Sequence, residues 1–165
     1  MYTMAALEAL KSHLLALHPG QFQDDAYLRS WFTPAVASLL IARGVVLRPE
    51  RVVYGVGVPM RCHENALAYA TLHDTATAYF GMGLYLHNGR WLWWGHSFCL
   101  EAGGSVIDSS AEPCAVYVGV EWREIYPLLP KSGAVNCCDL PPVLAPRKDL
   151  DENLSQGITT QHHSA

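Results

Sequence analysis

The stretch Trp91-Leu92-Trp93-Trp94-Gly95-His96-Ser97-Phe98-Cys99-Leu100-Glu101-Ala102-Gly103-Gly104-Ser105-Val106-Ile107-Asp108-Ser109-Ser110 decides the fold. It alternates like a strand, turns at Gly103-Gly104 and runs back through Ser105 to Asp108. Side chains of a strand alternate between two faces, so Leu92, Trp94, His96, Phe98 and Leu100 share one of them. A histidine in that apolar row needs partners for its ring nitrogens, and the return strand offers one carboxylate, Asp108. Loop length decides whether they meet. A three-residue loop, Ala102-Gly103-Gly104, pairs Glu101 with Ser105 and Phe98 with Asp108. His96 then lies diagonal to Asp108 on one face, roughly 7–8 Å away at the backbone and within side-chain reach. A two-residue loop would send Asp108 to the opposite face.

Upstream of this hairpin, Thr75 to His87 alternates as a strand and closes at Asn88-Gly89. Arg51 to Val58 is an extended or strand segment ending at Pro59, and an Ala-rich helix follows from about Cys62 to His73 or Asp74. Nearer the N-terminus, Leu7, Leu10, Leu14, Leu15 and Leu17 recur at helical spacing. Asp24 can cap a second short helix, and Thr33-Pro34 reads as the cap and first residue of a third that stops at Gly44. Downstream, Cys114 to Val120 predicts another strand and Glu121 to Leu129 a short helix. The expected fold is α+β: N-terminal helices over 1–44, then a core over 51–129 in which a Cys-bearing helix packs on an antiparallel sheet of about four strands. A chain of 165 residues fits one such domain, reaching to residue 140. The Pro-rich and then polar segment 141–165 reads as a flexible tail.

Composition narrows the function. Half the residues are hydrophobic and 16% are charged, below the roughly 25% usual for soluble domains, which points to extensive burial or to a surface given to a partner. A net charge of −4 supplies no basic footprint for nucleic acid. No stretch approaches the roughly 18 apolar residues of a membrane span. Glu8, Lys11 and His13 break up any signal-peptide layout at the N-terminus. The five cysteines Cys62, Cys99, Cys114, Cys137 and Cys138 are odd in number and form no CxxC pair, which suggests reduced thiols and a cytoplasmic protein. Cys62, His63, His96 and Cys99 are the one metal-like set, but adjacent ligands are not a usual zinc spacing, so no metal and no cofactor are expected.

Cys62 stands at the start of its helix, where free N–H groups and the dipole favour a thiolate and Arg61 adds positive charge. A helix-N-terminal thiol facing a strand-borne His–Asp pair is an activated nucleophile. The Cys62 N–H would stabilise an oxyanion. Tyr54 would offer it a phenol, and Trp94 would wall the site. Each residue also has a plainer reading: Cys62 as a small buried hydrophobe, His96 as a satisfied core histidine, Asp108 as a turn residue. His63 points about 100° around the helix from Cys62 and is a poor base for it. Glu64 and Asn65 are read as serving the first helical turn.

The order of a helix-capping Cys62, a strand Gly95-His96-Ser97-Phe98 and a strand ending Val106-Ile107-Asp108-Ser109-Ser110 resembles the transglutaminase-like and papain-like cysteine-enzyme superfamily, over roughly residues 54–119. Transglutaminase-like domains carry a Gly-His-Ala-Trp type strand and an Asp-Pro-Thr type ending, so this chain departs from both motifs. The resemblance implies cysteine-dependent acyl transfer at an amide, of peptidase, amidase, deamidase or transglutaminase type. Cys62 would attack, His96 would act as base and then acid, and Asp108 would orient the imidazole. A protein or peptide substrate follows, with nucleic acid and membrane not expected and oligomeric state left open. The alternative is a non-catalytic protein-binding module on the same fold.

Overall fold

The computed structural model describes residues 2–22, 24–58 and 61–128. The tail 141–165, Cys137 and Cys138 lie outside the described residues. Helix α1, Tyr2–Leu17, buries Leu7, Leu10 and Leu14 along one stripe, the spacing of residues that recur on one helical face. After the two-residue strand β1, Gln21–Phe22, helix α2 spans Asp25–Trp31. The Asp24 carboxylate caps it by accepting the Tyr27 N–H at 2.9 Å. Helix α3, Pro34–Arg43, opens with Pro34 in its first turn and the Thr33 hydroxyl accepting the Val36 N–H at 3.3 Å. Both caps satisfy N–H groups that a helix start leaves orphaned.

Short strands β2, Val45–Leu47, and β3, Val52–Val53, lead to helix α4, Cys62–Leu72. Strands β4, Ala76–His87, and β5, Arg90–Glu101, then form a long hairpin. Its turn places Asn88 and Gly89 at φ 48° and 73°, the left-handed pair of a tight two-residue hairpin turn. Strand β6, Val106–Ile107, β7, Val116–Glu121, and the short helix α5, Trp122–Ile125, complete the order before a 3₁₀ turn over Tyr126–Leu128.

Among the described residues, all seven strands join one sheet in the order β2-β7-β4-β5-β6-β3, with β1 also on β5. Most pairings are antiparallel, but β1–β5 and β3–β6 are parallel. The α+β class therefore stands, while the expectation of about four antiparallel strands undercounts. Strands of two or three residues are too short for alternation to register in the sequence. The helices cover one face, where Leu10, Leu14, Leu28, Trp31 and Leu40 meet Phe80, Met82, Trp93 and Val118. A smaller cluster of Tyr79, Phe98, Val106, Cys114 and Tyr117 lies on the other. Among the described residues no helix is long and apolar enough to cross a membrane.

The β5–β6 register is the one a three-residue loop dictates. Cys99 pairs with Ile107 and Leu100 with Val106, and the Glu101 N–H reaches the Ser105 carbonyl at 3.0 Å. Gly104 takes φ 83°, which costs a residue without Cβ little. The edge of β5 away from β4 holds β1 at Leu92 and Trp93 and β6 at Cys99 and Leu100. Between them, among the described residues, 94–98 has no strand partner on that edge. His96 sits in that gap, and α4 packs against the same strand.

Candidate active site

His96 and Asp108 meet in the interior. The His96 Nε2–H donates to Asp108 Oδ1 at 2.8 Å, and both side chains are almost wholly buried. Asp108 is ionised and can only accept, which assigns that proton to Nε2 and leaves Nδ1 as the ring's other functional nitrogen. The Cys62 thiol lies near enough to the same imidazole to help raise its pKa. Sheet register therefore brings together the helix-borne thiol, the strand-borne ring and the carboxylate just beyond β6.

The carboxylate has more partners than the histidine. Oδ1 also accepts the Ser110 N–H at 2.8 Å, and Oδ2 accepts the Tyr117 phenol at 2.7 Å. The Cys114 thiol approaches Oδ2 at 3.8 Å, and the Tyr117 oxygen in turn accepts the Cys114 N–H at 3.0 Å. The Asp108 backbone is pinned as well: its N–H donates to the Val53 carbonyl and its carbonyl accepts the Val56 N–H. A buried carboxylate with this many donors is held both ionised and oriented.

The electrostatics follow from these contacts. Burial works to raise the Asp108 pKa, but the His96 charge and hydrogen bond, with those from Tyr117 and Ser110, bring it down to about 2. Burial works to lower that of His96, and the Asp108 charge and bond, aided by Cys62, override it and raise it to about 10. Burial pushes the Cys114 thiol and the Tyr117 phenol far up, so both stay protonated donors beside Asp108.

Cys62 is partly exposed at the first residue of α4. The cap residue Arg61 makes no side-chain capping bond, and the N–H groups of a helix's first turn suit an anion. Arg61, the charge expected to favour a thiolate, also pairs with Glu64 at 2.7 Å. Asn65 does not serve the helix turn. Its amide accepts the Val58 N–H at 3.1 Å and donates to the Val58 carbonyl at 2.7 Å, fastening the segment that precedes Pro59. Gly57, at φ 94°, lies so close that a Cβ would fall 2.5 Å from the Asn65 oxygen.

A small cleft beside Cys62 is lined by Val56, Cys62, Asn65, Ser97, Asp108 and Ser109, among others. Tyr54 and Trp94, expected at the site, do not line it. Tyr54 is 46% exposed. Trp94 is two residues along the strand from His96, about 7 Å at ~3.3 Å per residue, and its ring packs edge-on to Tyr27 at 6.0 Å.

The set Cys62, His63, His96 and Cys99 does not converge. His63 bonds Ser97 and Cys99 donates to the Ala66 carbonyl. Among the described residues the one group with metal-like spacing is His96, Asp108 and Cys114, whose ligand atoms lie within 4.8 Å of one another. Sequence reasoning missed Tyr117 and Cys114 because each reaches Asp108 only through the sheet and the loop after β6, whereas the Ser110 N–H contact is the local bond of a turn aspartate.

Searches of protein-family models, of curated proteins and of solved structures found no match to this chain.

Proposed function

We propose that the protein is a cysteine-dependent acyl-transfer enzyme acting on an amide, with Cys62 as nucleophile, His96 as base and acid, and Asp108 as the residue that orients the imidazole. The observation that carries this reading is the placement of a helix-first thiol within reach of a histidine whose far nitrogen is fixed by a buried carboxylate. With His96 raised to about 10, its Nδ1 already holds the proton given up by Cys62, and the Cys62 sulfur forms a bond to the amide carbonyl carbon. The oxyanion faces the first-turn N–H groups of α4. As the tetrahedral species collapses, the C–N bond breaks and His96 returns the proton to the leaving amine. Water or an acceptor amine, deprotonated by His96, then attacks the thioester and releases Cys62.

The chain order Cys62, His96, Asp108 and the helix–strand–strand context support a papain-like or transglutaminase-like core. The partly exposed thiol can be approached by an acyl group on a protein or peptide. The test is thiol mapping. Iodoacetamide at neutral pH, followed by peptide analysis, is expected to label Cys62 first. Cys99 and Cys114 are buried, and burial pushes the Cys99 thiol up to about 12. Faster labelling of any other cysteine would remove Cys62 as nucleophile and leave a binding module on this fold as the better reading.

A further inference from the structure

One hydrogen bond ties the start of α4 to β5, and a thiol–imidazole contact lies beside it, adjacent residues on both sides being involved. Cys62 reaches His96, and the next residue, His63, shares a hydrogen bond of 2.5 Å from Nδ1 to the Oγ of Ser97, the residue after His96. His96 and Ser97 point to opposite faces of β5, while Cys62 and His63 diverge by about 100° around the helix. The first turn of α4 therefore straddles the unpaired edge of β5, one residue addressing each face.

His63 is held unusually firmly. It is 4% exposed and Ser97 is 1% exposed. Its ring stacks on Phe80 at 5.3 Å, packs against Trp31 at 4.3 Å and meets Trp122 edge-on at 5.5 Å. Gly95 permits this box, because a Cβ there would lie 2.7 Å from the Trp31 ring. The indole N–H groups of Trp31 and Trp122 are buried with no acceptor among the described residues. A core selected for stability alone avoids unpaired donors, and such departures gather at functional sites.

We infer that His63 and Ser97 are a positioning pair that sets the start of α4 on β5 and so places the Cys62 sulfur against His96. This rests on the catalytic reading of Cys62 and His96. The pair touches no reacting atom. It acts through the helix, whose first two residues cannot move independently.

The test compares second-order rates of Cys62 alkylation by iodoacetamide across the neutral pH range in full-length wild type, Ser97→Ala, Ser97→Thr and His96→Ala. A displacement of about 1 Å at a reacting centre costs up to ~10²-fold, so Ser97→Ala is expected to slow Cys62 by about 10–100-fold at neutral pH and to move its pH profile upward. Ser97→Thr, which keeps the hydroxyl, is expected to restore both. If Ser97→Ala does not fold, His63→Phe takes its place, since it keeps a ring among Trp31, Phe80 and Trp122 but removes the Nδ1 bond to Ser97, and the same slowing is expected. A lowered melting temperature with an unchanged Cys62 profile, while His96→Ala still shifts it, would overturn the positioning role and leave the pair purely structural. A profile unmoved by His96→Ala would overturn the catalytic reading itself, and this inference with it.

Discussion

Asp108→Asn is expected to cut turnover of an amide substrate by about 10⁴, the scale seen when the orienting aspartate of a serine triad becomes an amide. The amide has almost the shape of the carboxylate, but it presents an N–H where His96 or Tyr117 requires an acceptor. The imidazole can then take the tautomer with its proton on Nδ1, facing Cys62, where it cannot act as a base. The fold is affected too. Asp108 accepts from His96, Ser110 and Tyr117 in a site that is 1% exposed, so the substitution leaves at least one buried donor without a good acceptor, a cost of about 1–3 kcal/mol. At this size that lowers the melting temperature by roughly 2–12 °C. Turnover and melting temperature measured together decide the point. Near-silence in both would make Asp108 a turn residue.

Stability is expected to peak near pH 6.5 and to fall on either side for separate reasons. His63 is lowered from 6.5 to about 3, first by burial and then by the His96 charge. Below pH 6.5 the unfolded chain takes up a proton that folded His63 refuses, so stability is lost as pH falls from 6.5 towards 3. Asp108 adds to this limb only below 3.8, since its folded value is about 2. His96 runs the other way. With its folded value raised to about 10, its contribution is complete below pH 6.5 and is lost as pH rises towards 10. One group titrating alone changes stability by about 1.4 kcal/mol per pH unit, or roughly 3–6 °C in melting temperature. Melting curves from pH 4.5 to 9 are expected to show a maximum in wild type, a flattened acid limb in His63→Asn and a flattened alkaline limb in His96→Gln. An acid limb that survives His63→Asn above about pH 5.5, more than a unit above the ordinary carboxylate values of about 3.9 and 4.3, would show that His63 is not the group responsible.

Several features were legible in the sequence because they are local. Gly103-Gly104 and the three-residue loop set the β5–β6 register, and that register alone brings Asp108 to the His96 face. Asp24, Thr33-Pro34 and Asn88-Gly89 marked two caps and a turn through side-chain or backbone preferences that hold wherever the chain goes. What could not be read depends on tertiary placement. Strands β1 and β2 are too short to show a period. The parallel pairing of β3 with β6 leaves no pattern in either segment. Asn65 looked like a helix-turn residue, and only the path of residues 57 and 58 gives its amide a backbone to hold. His63 was correctly set aside as a base for Cys62, but its ring box is assembled from α2, β4 and α5, three separated parts of the chain. Tyr117 reaches Asp108 because β7 lies beside β4, an ordering that the sequence does not encode locally.

The central claim is that Cys62 is activated by His96, and the most direct measurement is the rate of Cys62 alkylation at about pH 6.5 in wild type against His96→Ala. An unassisted thiol, with an ordinary value near 8.5, is only ~1% ionised at that pH. Removing the base is therefore expected to slow alkylation by up to about 100-fold and to shift the pH profile towards that of free cysteine. Equal rates and superimposable profiles in the two proteins, both folded, would contradict the triad.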